Sequence, residues 1–323
     1  MAASYVTGAA TSPIDLLQLL VSWLVAQGWT SDSSVSDSPG WRAHLHKNGL
    51  YVNLRAAMSE SIWNYNYGGG YGIGVYLGTG YSGASNWRSQ AGGPVFSGSS
   101  SVVGAGVCLG SGAVPHYHFF DDGNDNIVVV VEWTTGVFGY LGWGPSMTKT
   151  GYTMDYPYFF GSMASYYNTA YPSSGKYGYD LTGLAPTTHQ IEDQSGFFVR
   201  IDSAVWASQW ISNVYSSTNT ASGYTGRRIR SALASTSLGG IESYTPNYVN
   251  VKNRSWPNAY PGAMLLPLHA FSEMATARWA PIGYVPTVFA TWAWQHGFNV
   301  GEIWQVGGLD YMVFPYFAVR KAA

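Results

Sequence analysis

Apolar and polar positions between Pro115 and Gly144 predict three consecutive β-strands joined by turns. The segment 116–120 alternates histidine and aromatic residues, and the Asp, Gly and Asn residues of 121–126 favour a tight turn. Ile127 to Val131 is an unbroken β-branched run, which is typical of a strand covered on both faces. After a second turn at Gly136, aromatic residues interleaved with glycines predict a third strand, with glycines where it bends or where another backbone comes close.

One helix is predicted near the start of the chain, over 13–27. Ser12 is a suitable N-cap, Pro13 fits the first helical position, and the carboxylate of Asp15 suits the positive end of the helix. Gly28 then favours termination. A broad apolar face is formed by Leu16, Leu17, Leu19, Leu20, Trp23 and Leu24.

A β-hairpin is predicted over Trp41 to Arg55, because Asn48-Gly49 is a strong two-residue turn signal. Further along the chain, Gly196 to Ile201 has the composition of a strand. Ser203 to Val214 is compatible with a short helix on which Trp206 and Trp210 would share a buried face.

These patterns predict a mainly β fold with sandwich-like or barrel-like sheets, long loops rich in Gly, Tyr and Ser, and an amphipathic N-terminal helix. The 323 residues suffice for a substantial core. No clean linker divides the chain, so we expect a single β-rich unit over 1–323. Two lobes, 1–195 and 196–323, are the alternative, with an uncertain boundary.

Charge is unusually scarce in this chain. Charged residues make up 10% and aromatic residues 16% of the sequence, and the formal net charge is -2. Such a balance gives no general attraction to nucleic acid or to an anionic membrane. No long apolar run predicts membrane insertion, and no basic leader is recognisable, so we expect synthesis in the cytoplasm.

The same composition favours a protein that functions as part of an assembly. Few charges reduce the repulsion between copies, and Tyr and Trp are enriched at contact surfaces. We therefore expect a homo-oligomer. An all-β domain with a Tyr-rich surface is the alternative interpretation.

Two His-x-His pairs are the candidates for metal chemistry. His44 and His46 form one pair, and His116 and His118 form the other; on a strand, the two imidazoles of a pair point to the same side. Four imidazoles would gather around one transition metal ion if the strands met, or if copies met on a symmetry axis. The spacing alone is a weak signal, so no metal and no cofactor is predicted.

Three other segments are candidates for ligand-binding or catalytic motifs, and none has the required pattern. The glycines of 68–74 lack the pattern of a phosphate-binding loop. Asp121 to Asn126 resembles a calcium loop only in part, because Gly123 stands where a ligand is needed, and a solvated turn is the simpler interpretation. Cys108 is the only cysteine and is predicted to be a small core residue. No catalytic residue is therefore assigned.

The one basic cluster contains Arg227, Arg228 and Arg230. It suits either an interface with an acidic patch of a neighbour or a solvated turn that leads into a helix-like segment, Ser231 to Ala234.

The order of short motifs along nearly the whole chain resembles a family of tailed-bacteriophage virion structural proteins encoded with tail-tip or baseplate genes. The motifs are Gly28-Trp29, Asn53-Leu54-Arg55, Phe119-Phe120, Val128 to Glu132, Gly136 to Phe138, Gly142 to Gly144, Phe160 to Ser162, Leu265 to Pro267, Ile282 to Pro286 and Gly307 to Pro315.

This resemblance implies a non-enzymatic virion component in the tail or baseplate. It would assemble as a symmetric oligomer, bind other phage virion proteins and contact fibres or the host surface. A neck, collar or capsid-decoration protein is one alternative. A carbohydrate-binding module or glycan-active enzyme is an alternative from another class, since Trp and Tyr stack well on sugar rings.

Overall fold

The computed structural model has a mainly β fold, as the sequence predicted. It describes residues 2–38, 40–60, 70–83, 87, 90–94, 105–149, 157–161, 163–164, 196–200, 206–209, 229–231, 266–275, 278–290, 299–314 and 317–322. Within these residues, three antiparallel sheets accompany one α-helix. That helix, α1, covers Pro13–Ala26.

The first of the sheets, called the N-terminal sheet, has the strand order β12-β6-β5-β4-β3-β2. Its strands are β2 (Thr30–Asp37), β3 (Gly40–Lys47), β4 (Leu50–Glu60), β5 (Gly70–Gly78), β6 (Ala105–Leu109) and β12 (Met163–Ala164).

The central sheet has the order β1-β7-β8-β9-β11-β13-β14. Its strands are β1 (Ser4–Ala10), β7 (Val114–Asp121), β8 (Ile127–Thr134), β9 (Val137–Gly144), β11 (Tyr158–Gly161), β13 (Gly196–Arg200) and β14 (Trp206–Gln209).

The C-terminal sheet has the order β15-β16-β17-β20-β19-β18, and β10 also pairs with β17. Its strands are β10 (Thr148–Lys149), β15 (Ile229–Ser231), β16 (Leu266–Ala275), β17 (Arg278–Ala290), β18 (Ile303–Val306), β19 (Leu309–Val313) and β20 (Phe317–Lys321).

The helix forms where its start signals predicted. The Ser12 hydroxyl accepts a hydrogen bond from the Asp15 backbone N–H at 3.1 Å, and Gly28 follows the helix with a φ of 81°. This left-handed conformation is one that glycine adopts without strain. Leucine side chains on α1 are buried against β3, β4 and β5, so the helix covers part of the N-terminal sheet.

Both faces of the middle of the central sheet are buried, because apolar clusters lie on either side of β8. Val129 and Val131 belong to the cluster shared with α1 and the N-terminal sheet, whereas Val128 and Val130 belong to the cluster shared with the C-terminal sheet. The prediction of a doubly covered strand over Ile127 to Val131 is confirmed.

Two local predictions are wrong. Trp206–Gln209 is strand β14, paired with β13, although a helix was expected there. Ser231 ends strand β15, which pairs with β16, so the helix-like segment does not begin at that residue. In both places, pairing with a neighbouring strand overrides the weak local pattern.

The strand expected at Gly196 to Ile201 is present as β13. It lies beside β11 in the central sheet, so that sheet includes strands from both sides of position 195. The division of the chain into lobes stays a prediction. No helix in the part of the chain that the structure describes has the length and hydrophobicity needed to cross a membrane.

Candidate functional site

The two histidine pairs lie on different sheets. His44 and His46 are on β3 of the N-terminal sheet, and His116 and His118 are on β7 of the central sheet. β3 and β7 are therefore not paired with each other, and no sheet brings the four imidazoles side by side. Among the described residues, no group of three or more His, Cys, Asp or Glu side chains is arranged to hold a metal ion.

His44 is a buried structural residue. Its Nδ1 lies 2.6 Å from Asn53 Oδ1 on the neighbouring strand, and its ring packs against Tyr81. Because Asn53 Oδ1 can only accept, Nδ1 of His44 is the donor. Burial lowers the pKa of His44, which favours the neutral imidazole.

His46 forms a partly buried pair with Asp32. Its Nδ1 lies 2.9 Å from Asp32 Oδ2, and its ring stacks on Tyr51. A register shift between Ser31 and Ser33 places Asp32 in a β-bulge, the kind of irregularity that redirects a side chain. The bulge thus brings the carboxylate of Asp32, on the edge strand β2, next to the imidazole of His46.

Two arginines share one carboxylate on the same sheet. Arg42 and Arg55 are directly paired across β3 and β4. The buried Arg55 guanidinium contacts the Asp37 carboxylate, and Arg42 Nε lies 3.8 Å from Asp37 Oδ2. The carboxylate at the end of β2 thereby offsets two neighbouring positive charges. The residues of these contacts and of the two histidine contacts above are called the polar face: Asp32, Asp37, Arg42, His44, His46, Asn53 and Arg55.

His116 belongs to an exposed cross-strand pair on the central sheet. Its Nδ1 lies 2.8 Å from Glu132 Oε2, and Glu132 is its direct partner in the β7–β8 register. The second oxygen of Glu132 accepts a hydrogen bond from the Gly136 N–H at 2.7 Å. This carboxylate therefore fixes the β8–β9 turn as well as the imidazole.

His118 faces the apolar cluster beneath the C-terminal sheet. Its Nδ1 lies 3.0 Å from the Tyr5 hydroxyl, and Phe314 approaches the ring edge-on. Burial lowers the pKa of His118 to about 4, with a smaller contribution from His116. The imidazole is accordingly neutral at pH 7, and its Nδ1 accepts from Tyr5 if Nε2 carries the proton.

The turn over 121–126 is only partly solvated, whereas a solvated turn was expected. Asp121, Asp125 and Asn126 are buried, and Asn124 at the tip is exposed. Asp125 accepts from Lys47 at 2.6 Å and from Asn48 at 2.7 Å, and these donors belong to the β3–β4 hairpin.

The remaining groups of this turn also have internal roles. Asp122 Oδ1 accepts from the backbone N–H groups of Asn124 and Asn126, an Asx arrangement that stabilises a turn. Asn126 Oδ1 accepts from the Tyr158 hydroxyl at 2.9 Å. Burial raises the pKa of Asp121, which favours its neutral form. The turn is a structural junction between strands rather than an open calcium loop.

The basic cluster is only partly within the described residues. Arg230 lies on β15 opposite Phe271, whereas Arg227 and Arg228 fall outside the described ranges. The expected interface at this cluster stays a prediction. Cys108 lies on β6 opposite Gly72, and its side chain is outside the described part of the chain.

A surface that the sequence analysis missed lies at the other end of the C-terminal sheet. Val300, Ile303, Val306 and Leu309 are each 38 to 44% exposed on and beside the β18–β19 hairpin. β18 is the terminal strand of that sheet in the described part of the chain. We call these four residues with β18 the apolar edge. The signal in the sequence was the short uncharged run from Ile303 to Val306 before Gly307-Gly308, which resembles an ordinary hairpin.

The two surfaces differ in their chemistry. The residues of the polar face contact one another, although the buried Nε of Arg42 has no hydrogen-bond partner among the described residues, and these internal contacts suit a structural function. The apolar edge exposes hydrophobic side chains to water, which suits contact with another protein. No protein-family model matches the chain, and no curated protein matches it either.

Proposed function

We propose that this protein is a non-enzymatic structural component of a tailed-phage virion, positioned in the tail or baseplate. It assembles as a symmetric oligomer and bridges other virion proteins. Its final location is the virion, after synthesis in the host cytoplasm.

The observation that carries the proposal is the apolar edge. Val300, Ile303, Val306 and Leu309 expose apolar surface within a short stretch, beside an open strand of a sheet. Such surface favours association, because contact with another protein removes it from water. A structural subunit needs a surface of this kind for its neighbours.

The composition and the internal contacts support the same function. Charged residues are only 10% of the chain, which weakens the repulsion between copies. The imidazoles of His44, His46, His116 and His118 hydrogen-bond to partners within the fold, as residues that maintain a structure do. The ordered motifs that resemble tail-tip and baseplate proteins give the proposal its place in the virion.

The test is the native mass of the purified full-length chain by light scattering, followed by electron microscopy of the eluted species. A closed ring with rotational symmetry is the expected result. A compact monomer that binds host polysaccharide would overturn the proposal in favour of a carbohydrate-binding module.

A further inference from the structure

In the part of the chain that the structure describes, the outer side of β18 has no strand partner. Among the described strands, β18 pairs with β19 alone. Gly307 and Gly308 both have positive φ, 61° and 78°, as in a two-residue type I′ turn. The residues that flank such a turn, Val306 and Leu309, form a hydrogen-bonded pair.

Alternation along the hairpin then determines which backbone groups face outwards. In an antiparallel pair, bonded and non-bonded positions alternate, so Trp304 bonds to β19 as Val306 does. The hydrogen bond from the Val313 N–H to the Glu302 carbonyl, at 2.9 Å, follows the same alternation. The N–H and C=O groups of Ile303 and Gln305 therefore point to the open side.

Apart from its short length of four residues, this edge lacks the features that normally prevent strand addition. Exposed edge strands are usually protected by short length, charged residues, proline or bulges. β2, the edge of the N-terminal sheet, carries Asp32 and Asp37 and contains a bulge. β18 has the sequence IWQV, with no charge and no proline. The two edges of the same protein therefore differ in a way that favours pairing at β18.

We propose that β18 pairs with β18 of a second copy of this chain, antiparallel about a two-fold axis. The axis passes through Trp304, so that Ile303 of one copy faces Gln305 of the other. In this register, Ile303 and Gln305 of one β18 form backbone hydrogen bonds with Gln305 and Ile303 of the other. In any other antiparallel register of two β18 strands, at least one of these residues would have to bond outside β18. The two C-terminal sheets then form one continuous sheet.

The partner is a second copy because the edge is complementary to itself in this register. Trp304 faces its own counterpart at a non-bonded position, where side chains approach closely and aromatic pairs are favourable. Glu302 faces Val306, so no charged residue lies opposite a like charge. The β18 pairing would be one contact of the proposed oligomer. The expectation that copies associate at all rests on the proposed function.

A matched pair of charge substitutions tests the surface. Ile303 and Val35 are both 38% exposed on edge strands, but only Ile303 lies on the proposed interface. Ile303→Lys places two like charges diagonally across the axis and is expected to raise the dimer dissociation constant by at least about tenfold. Val35→Lys is expected to leave that constant unchanged. Light scattering across a concentration series measures both, and circular dichroism confirms that each variant folds.

Cysteine cross-linking of the full chain tests the register independently. Trp304→Cys places the two new thiols at a non-bonded pair with Cα atoms about 4.5 Å apart, close enough for a disulfide. Val306→Cys places its two thiols about 13 Å apart along the strands, which is too far. The wild-type chain, which contains Cys108, gives the background. Cross-linked dimer from Trp304→Cys alone is expected.

The outcomes separate this inference from the proposed function. An oligomer that Ile303→Lys leaves intact, or equal cross-linking of both cysteine variants, overturns the β18 contact while the assembly proposal stands. A dimer that Ile303→Lys abolishes, without any larger ring, supports the contact and contradicts the ring. A wild-type chain that stays monomeric at all concentrations overturns both.

Discussion

Lys47 Nζ lies 2.6 Å from Asp125 Oδ1, and this ion pair joins the β3–β4 hairpin of one sheet to the β7–β8 turn of another. The two side chains are only 9% and 12% exposed. Lys47 also donates to the Gln27 carbonyl at the end of α1, at 2.8 Å. One ammonium group therefore connects the helix and two sheets.

Lys47→Met is expected to lower the free energy of unfolding by about 3 kcal/mol, because it leaves the Asp125 carboxylate buried without its cation. The lost hydrogen bond to Gln27 adds to the effect. Urea denaturation at pH 7, followed by circular dichroism, measures the change.

The control for this substitution is Arg42→Met. Arg42 Nε is 3.8 Å from Asp37 Oδ2, and the two side chains are 26% and 33% exposed. Water screens such a pair, so the expected loss is below about 1 kcal/mol. Equal losses for both substitutions would mean that the Lys47 pair has no special role in joining the sheets.

Elements with strong local signals could be predicted from the sequence. Ser12, Pro13 and Gly28 mark the ends of α1, and Asn48-Gly49 marks the β3–β4 hairpin with φ values of 49° and 80°. Each of these signals acts over a few residues and does not depend on distant parts of the chain. The doubly covered strand β8 was also predictable, because a continuous apolar run requires cover on both faces.

Elements that depend on distant neighbours could not be predicted in this way. β2 has the sequence TSDSSVSD, which lacks the apolar alternation of a half-buried strand because it lies at a sheet edge. β14 acquires its conformation by pairing with β13. The two histidine pairs have a spacing that is suitable for metal ligands. The spacing within each pair carries no information on whether β3 and β7 belong to the same sheet, and in the structure they belong to different sheets.

Stability is expected to fall on acidification through His118. Burial lowers its pKa to about 4 in the folded state, from the usual 6.5. Between these values the unfolded chain binds the additional proton, so the His118 contribution is complete above pH 6.5 and declines down to about pH 4. The total loss over this window is about 3 kcal/mol. Urea denaturation at a series of pH values from 7 to 4.5 measures it.

His118→Gln is the control for the pH series, because it removes this titration while keeping a polar side chain beside Tyr5. Its stability should decline less between pH 7 and 4.5 than that of the wild-type chain. His116, Glu132, Tyr5 and Lys321 surround the site, and these residues are present in both proteins. Identical pH profiles would rule out His118 as the source.

Alanine substitutions at two adjacent valines test whether both faces of the central sheet are packed. Val129 contacts the cluster under α1, and Val130 contacts the cluster under the C-terminal sheet. Val129→Ala and Val130→Ala are each expected to cost roughly 2 kcal/mol, because each leaves a cavity. Val35→Ala, at an exposed position, should change stability by less than about 0.5 kcal/mol. A large loss at only one of the two buried valines would contradict burial of both faces.

The glycine at 142 is expected to resist any side chain because the central sheet is packed closely there. A Cβ at Gly142 would lie 2.5 Å from the Phe160 ring and 2.6 Å from the Ile127 carbonyl oxygen, and the backbone oxygen cannot move away alone. Gly142→Ala should therefore lower the free energy of unfolding by about 2 kcal/mol. Gly112→Ala is the matched control, since a Cβ there meets nothing within 4 Å, and it should be neutral or slightly stabilising. Thermal unfolding of the two variants and the wild type measures the difference. If Gly142→Ala is as stable as Gly112→Ala, the strands β8, β9 and β11 are packed less tightly than the distances at Gly142 indicate.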